Sequence, residues 1–492
     1  MPPEGSQAVD RRTLLERGAQ AALVAGTMPW WRLPELVEAT DPRVRALARE
    51  LRGDVVGRGQ AGYDAARLLR STRFDGVHPL AVAYCEGADD VARCVRWATT
   101  NGIRLAARSG GHSYGGYSTV QGGLVVDVSR IDGVALAADH RTATVGAGAT
   151  LGEVYDRLYA AGHVTIPAGS CRTVGVAGLT LGGGHGFLSR RDGLTCDSVR
   201  SLRIVTADGR VLDASPSEHA DLLWACRGGG GGTFGIVTSF RFAVHPIGRV
   251  STFTVEWPWA DAAAAVAAWQ AWAPHAPNAL FSVLSVSCAA GGSPAIRAVG
   301  QLAGPSSQLV SLLAPLAAVG SPTRVSTVDR DYPAAVRYFG GNDVRSTFAA
   351  ASGYAYTPLS TAGIRAVLDG VAARSRGPAG GVSVLFDSYG GAIRHVPAGG
   401  SAFAHRRALF SLQELTSWSG ASAAAANLAW LRSFHAHLRP HVSGYAYLNY
   451  IDPAQPGWQH AYFGASLKRL RAVKRRYDPH DVFRFPQAIR PS

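Results

Sequence analysis

Lysine is almost missing from this chain of 492 residues. Of its 49 basic residues only Lys468 and Lys474 are lysine, and the net charge of +14 rests on scattered arginines. No basic run interleaved with aromatics occurs, so the charge does not describe a nucleic-acid groove and no nucleic-acid partner is expected. Cysteine is sparse. Cys85, Cys94, Cys171, Cys196, Cys226 and Cys288 form no CxxC pair and have no histidine at zinc-ligand spacing. That excludes a zinc site and a disulfide scaffold, and no metal is expected. Cys85 and Cys94 are close enough in sequence to pair, but a strand-then-helix setting argues against it. No apolar run approaches the ~20 residues of a membrane helix, so no integral membrane segment is expected. An apolar fraction of 47% with 17% charged residues fits a globular chain, and the length suits two domains.

What is plentiful is glycine, with 58 residues, and much of it lies in three clusters. The first is RSGGHSYGGYS, Arg108 to Ser118. The second is PAGSCRTVGVAGLTLGGGHGFLSRRDGLTCDSV, residues 167–199, and the third is WACRGGGGGTFGIVTSF, residues 224–240. Glycine allows sharp turns and close approach of backbone to a large ligand, and successive peptide N–H groups make a cradle for a pyrophosphate. Between the clusters the chain alternates. PLAVAYC, IRLAAR, GGLVVDVS and TATVGAGA read as strands. GADDVARCVRWATTNG reads as a helix burying Val91, Cys94, Val95 and Ala98 and stopping at Gly102. TLGEVYDRLYAAG carries a capping box from Thr150 to Glu153 and a terminal Gly162. After Pro246 an Ala-rich amphipathic helix and adjacent strands predict a second domain over about 248–445, a sheet backed by helices. The fold class is α+β.

The ligand is not a nicotinamide dinucleotide on a Rossmann unit. GAGATLG follows a strand, but no acidic residue stands at the ribose-binding distance. GGGHG lacks the Lys-Ser/Thr of a phosphate-binding P-loop. Read alone, His112 in the first cluster is a nucleophile or a capping group in a turn, and Cys171 is a nucleophile or a small buried thiol.

Five ordered motifs carry a resemblance: RSGGHSYGG; GSCRTVGVAGLTLGGGHGFLSRRDGLTCDSV; RGGGGGTFGIVT; DSYGG with HRRALF downstream; and YLNYIDP with YDPHDVF. From about residue 73 to the end, the chain resembles the berberine bridge enzyme-like family of FAD-linked oxidases, whose flavin domain is of the vanillyl-alcohol-oxidase (PCMH) type. The resemblance implies a flavin domain over 73–247, a substrate domain with an antiparallel sheet over 248–445, and a segment at 446–492 returning to the flavin domain.

It also implies FAD attached twice, through His112 to the 8α-methyl group and through Cys171 to C6. The cofactor contacts it implies are Arg108, Ser109, Gly110, Gly111, Ser113 and Tyr114; Gly169, Ser170, Val174, Gly175 and Gly178; Gly183, Gly184 and Gly186; Ile236 and Val237; and Asn449 and Tyr450. Tyr450 matches the residue that takes the substrate proton in several relatives, with Tyr389 and Asp387 of FDSYGG on the neighbouring strand as its helpers. A core tyrosine with a bonded hydroxyl is the other reading of Tyr450, and His185 reads as a turn histidine. The glutamate base of some plant relatives is matched by Leu412, which argues against alkaloid ring closure and for alcohol oxidation. Val174, three residues after Cys171, stands where relatives with valine tend to be oxidases and those with isoleucine react poorly with O₂.

The resemblance thus implies hydride transfer from an alcohol or hemiacetal carbon of a sugar, glycoside or secondary metabolite to FAD, with O₂ reduced to H₂O₂. Other outcomes are a dehydrogenase using another acceptor, an oxidative cyclase, or a binding protein on the same scaffold. At the amino terminus, Arg11-Arg12 before a weakly apolar stretch from Gly18 to Gly26 resembles a twin-arginine export signal, with Val37-Glu38-Ala39 as a cleavage site. Residues 1–39 are therefore expected to direct secretion through the twin-arginine machinery.

Overall fold

A computed structural model describes residues 41–341, 344–376, 380–397 and 399–491. The expected export segment, with Arg11 and Arg12, lies outside them. Among the described residues, eighteen strands form four sheets. In the first, β1 (Val55–Gly57) pairs antiparallel with β2 (Ala81–Tyr84). Strands β2 and β3 (Leu105–Arg108) flank β4 (Leu124–Asp127), both parallel to it. Helix α1 (Ala88–Thr100) makes the crossover, burying Val91, Cys94, Val95 and Ala98 as its apolar spacing predicts. The fold of this unit starts upstream of residue 73, because β1 and a helix at Pro42–Glu50 complete its edge. Cys85 and Cys94 are buried free thiols with their sulfurs 3.9 Å apart.

The second sheet is antiparallel throughout, in the order β5 (Val134–Leu136), β6 (Thr142–Gly146), β10 (Ile236–Ala243), β8 (Val199–Val205), β9 (Val211–Ala214). Helix α2 (Leu151–Gly162) opens with the expected capping box, Thr150 N–H donating to Glu153 Oε2 at 2.8 Å. Its left-handed stop is His163 (φ 51°) rather than Gly162. Gly162 is needed for closeness instead, since a Cβ there would lie 2.6 Å from Leu136. A two-stranded pair, β7 (Val164–Thr165) and β11 (His245–Pro246), closes this half of the chain.

A seven-stranded antiparallel sheet follows, ordered β15-β12-β14-β13-β17-β18-β16. Its strands are β12 (Arg249–Trp257), β13 (Leu280–Cys288), β14 (Pro294–Leu302), β15 (Arg324–Asp331), β16 (Thr347–Ala355), β17 (Gly381–Ser388) and β18 (Phe410–Trp418). Helices α3 (Ala262–Trp272), α4 (Thr361–Ala373) and α5 (Ala424–Leu438) cover one face only. Successive side chains of a strand alternate between faces, so one parity feeds the helices and the other is left for a second partner. On the helix side Val384, Phe386, Phe410 and Leu412 pack around Trp269, whose indole N–H donates to Ser282 Oγ at 2.9 Å. Each such buried side chain contributes roughly 1.5–3 kcal/mol.

The chain ends against the first half of the fold. Helix α6 (Leu467–Tyr477) and its flanks place Ile451, Phe463, Leu470, Val473 and Phe483 in the same core as β2, β4 and β10. Lys474, fully buried, holds this segment down. Its ammonium donates to the Thr233 carbonyl at 2.9 Å, to the Phe483 carbonyl at 2.7 Å and to Asp478 Oδ2 at 2.5 Å. All three donors are satisfied, which makes a buried lysine tolerable.

Candidate active site

The uncovered face of the seven-stranded sheet looks onto the glycine turns, and between them lies a cavity of about 1030 Å³. From the sheet it receives Phe281, Val283, Ser285, Val299, Leu385, Asp387, Gln413 and Leu415, all of the parity opposite to the helix-facing residues. Leu412 belongs to the helix-facing set. Its neighbour Gln413 reaches the site instead, so the assignment of Leu412 to this position is off by one. A one-residue slip in a strand exchanges the two faces. Glutamine, like leucine, supplies no carboxylate base.

The opposite wall is bare backbone. Arg108, at the end of β3, is anchored by a buried ion pair with Asp127, and Ser109 Oγ donates to the Ala147 carbonyl at 2.7 Å. The next two residues turn sharply, with Gly111 at φ 68°. A Cβ on Gly110 would lie 2.3 Å from Gly175 N, so the first two glycine clusters nest back to back. That nesting brings together residues sixty positions apart: His112 Nε2 and Thr173 Oγ1 are 2.8 Å from each other, and His112 and Cys171 both line the cavity. Cys171 is exposed, whereas the other five cysteines are buried. At Gly178 and Gly231 an added Cβ would come within 3.4 Å of nothing. The wall there is open peptide surface on which a flat ring can lie. Among the described residues, the peptide N–H groups of Gly110 and Gly111 donate to no backbone carbonyl, leaving donors for an anionic group. A large ligand carrying a planar ring and a diphosphate fits this wall, and FAD is such a ligand.

Of the expected cofactor contacts, Arg108, Ser109, Gly110, Gly111, His112, Ser113, Tyr114, Gly169, Ser170, Cys171, Val174, Gly175, Gly178, Gly186, Ile236, Val237, Asn449 and Tyr450 line the cavity. Gly183 and Gly184 do not. They form a left-handed turn, φ 117° and 80°, behind the wall, packed on Phe403 and Thr195. Their service is to aim the next residue, His185, into the cavity.

His185 is the functional residue that sequence reasoning missed. Its Nε2 lies 3.3 Å from the Tyr450 hydroxyl and 3.8 Å from Asp387 Oδ2. Its Nδ1 is buried without a protein partner. Burial lowers the His185 pKa, against the pull of the Asp387 charge, which favours the neutral ring. Burial raises the Asp387 pKa, opposed by His185 and by hydrogen bonds from Ser411 and Tyr450. The Tyr450 phenol is pushed well above its ordinary value by burial first and by the Asp387 charge second. Tyr114 stacks on Tyr450 with ring centres 5.6 Å apart, and its hydroxyl accepts from Gln413 Nε2 at 3.0 Å. Asn449 Nδ2 donates to the Leu179 carbonyl and to the Tyr447 hydroxyl, both at 2.9 Å, which fixes the YLNY segment against the second cluster.

Tyr389 is not part of this wall. It is fully buried behind it, its hydroxyl 3.2 Å from that of Tyr354, and its carbonyl accepts from the Arg190 guanidinium. Strand β17 ends at Ser388, so parity no longer governs the next residue. Asp387 remains in the site, and the side chain that lies beside Tyr450 is His185 rather than Tyr389.

With this geometry established, comparisons with known proteins bear on it. Residues 79–215 match the family model for an FAD binding domain, and residues 446–490 match the berberine and berberine-like model. The FAD-linked oxidoreductase YgaK of Bacillus subtilis is 36% identical over 449 residues, covering 90% of this chain and 98% of that protein. Xylooligosaccharide oxidase of Thermothelomyces thermophilus is 32% identical over 445 residues, covering 84% and 88%. Among solved structures, Physcomitrella patens BBE-like 1 superposes with a TM-score of 0.85 at 32% identity, covering 91% of this chain and 99% of that one. The glucooligosaccharide oxidase of Acremonium strictum, described with a 6-S-cysteinyl, 8α-N1-histidyl FAD, gives 0.83 at 27% identity, covering 92% and 99%.

Proposed function

The chain belongs to the berberine and berberine-like family of FAD-linked oxidoreductases, and from that premise we propose that it is an oxidase acting on the hemiacetal carbon of sugars or glycosides. FAD is its cofactor. His112 and Cys171 hold it by two covalent bonds, as in the glucooligosaccharide oxidase. The nested turns support this by presenting a nucleophilic nitrogen and the one exposed thiol to the same cavity. The chemistry FAD supplies when bound is that of a hydride acceptor which O₂ can reoxidise, yielding H₂O₂.

The observation that carries the proposal is the row Tyr450, His185, Asp387 on the wall facing the glycine turns. Loss of hydride from a CH–OH carbon must be matched by loss of the hydroxyl proton. Tyr450 touches that hydroxyl. Its own pKa is too high for it to stand as a phenolate at neutral pH, so it takes the substrate proton only as it gives up its own. The His185–Asp387 pair, a neutral imidazole beside a carboxylate, receives it, and the new imidazolium is stabilised by the charge 3.8 Å away. The product is a carbonyl, which for a hemiacetal is a lactone. A sugar ring is favoured by the aromatic lining: Phe187 and Phe339 stack with centres 3.7 Å apart and Phe281 meets Phe187 edge-on. The names of the xylo- and glucooligosaccharide oxidases point the same way.

Val174 lines the cavity, and a side chain of this size, smaller than isoleucine, supports O₂ as the acceptor. Export through the twin-arginine route completes the proposal, with the enzyme folded and loaded before secretion. The test is anaerobic bleaching of the flavin by oligosaccharides, their sugar alcohols and polyketide alcohols. Bleaching by reducing sugars but not by the corresponding sugar alcohols is expected. Bleaching by none of the sugars overturns the substrate class, and reoxidation by air over minutes replaces the oxidase by a dehydrogenase.

A further inference from the structure

A second cavity, of about 400 Å³, lies on the helix side of the large sheet, where α5 meets the edge strand β16 and the turn after Tyr450. Arg73, Arg432, Arg439, His435 and Asp452 line it over a floor that includes Leu431. Its volume is within the range of small-ligand sites.

Two features make it more than a cleft between helices. The first is His435, 7% exposed on α5. Its Nδ1 lies 3.0 Å from Glu414 Oε2, and a carboxylate can only accept, so Nδ1 carries a hydrogen. Burial acts to lower the His435 pKa, but the hydrogen bond and charge of Glu414 outweigh it and the net shift is upward. A proton taken up at Nε2 is therefore stabilised by Glu414 across the ring. That atom is buried and has no protein partner.

The second feature is the arginines. Among the described residues no carboxylate lies within 4 Å of Arg73, Arg432 or Arg439. Arg73 is partly buried, and its guanidinium donates to the Phe348 carbonyl at 3.2 Å. Asp452 is the only acid in the lining. Its pKa is raised, by burial first, and its Oδ1 accepts from Ala454 N at 2.9 Å. The cavity is thus lined by three arginines and a buried imidazole nitrogen without a partner, against one carboxyl. Arginine side chains around a half-open cavity, beside a buried and unpartnered ring nitrogen, suit an anion with several oxygens.

We propose that this cavity is a second binding site, distinct from the flavin cavity, for a small oxyanion: a sugar-sized carboxylate or a phosphate. It stands apart from the oxidase reading, since it uses none of the residues that line the flavin cavity.

The test is titration calorimetry on the flavin-loaded full chain with sodium phosphate, sodium gluconate and, as a neutral control, glucose, at fixed ionic strength. One saturable site for phosphate, gluconate or both is expected, and the probe that binds tells the two sources apart. The double variant Arg432→Gln, Arg439→Gln changes only exposed side chains and keeps the fold. It should weaken binding at least about tenfold, the loss expected for removing charge-assisted contacts. His435→Asn should weaken it further. Arg297→Gln, in the flavin cavity, should leave it unchanged. The proposal falls if neither anion gives a saturable signal, if the double variant binds within twofold of the parent, or if Arg297→Gln abolishes the signal.

Discussion

Asp387→Asn separates the proton relay from the rest of the site. Asparagine keeps the shape and the hydrogen bond from Ser411 but removes the charge. That charge lies 3.8 Å from His185 Nε2. At an effective dielectric of ~20, two unit charges at this distance interact by about 4 kcal/mol, or about three powers of ten. If half of the imidazolium charge has developed in the transition state, the rate of flavin reduction falls about thirtyfold; if all of it has, about a thousandfold. The pH profile carries a second, signed expectation. Activity needs the pair free to take a proton, so the rate is lost as pH falls and His185 charges. Burial places that loss below the ordinary histidine value, and Asp387 pulls it back up. Removing Asp387 therefore moves the acid limb to lower pH while lowering the plateau. The assay is anaerobic stopped-flow reduction of the flavin between pH 4 and 9 with a sugar that bleaches it. A plateau within threefold of wild type, or an acid limb that stays or rises, would refute the relay.

Three further outcomes are expected. Acid-precipitated protein should stay yellow, and His112→Ala should retain flavin through Cys171 alone, shown by one peptide in place of a cross-linked pair. Val174→Ile should slow reoxidation of the reduced protein by O₂ at least about tenfold and leave reduction by sugar nearly unchanged, because one added methylene fills a void that interiors rarely leave open. Lys474→Ala strands the fully buried Asp478 carboxylate and two carbonyls, and should cost about 3–5 kcal/mol in urea unfolding.

The glycine clusters make the cofactor wall legible in the sequence, because backbone turns depend on short local sequence. Asp387 was legible too, from strand alternation. The misses share one cause: they lie where a single residue decides direction. Leu412 and Gln413 are neighbours on one strand, and nothing local says which faces the cavity. Only the packing of Leu412 against the α3–α4 side settles it. Tyr389 lies one residue past the end of β17, where alternation lapses. His185 looked like a turn histidine because it is one. The turn at Gly183 and Gly184 is what carries its ring to Tyr450, from a part of the chain 265 positions away.

The last segment of the chain has a consequence for how the molecule is made. Asn449 seats so tightly that a Cβ on Gly182 would lie 1.9 Å from its Oδ1, and Lys474 clasps the carbonyl of Thr233. The first half of the fold therefore lacks part of its own core until residues 446–489 have been made. Domains ordinarily fold in order of synthesis. Here the earliest-made unit is the last to close, after the large sheet has been built in between. A chain cut short before residue 446 would present its glycine turns to solvent with no lid of YLNY over them, and an amino-terminal fragment is not a smaller flavoprotein but an open half-core.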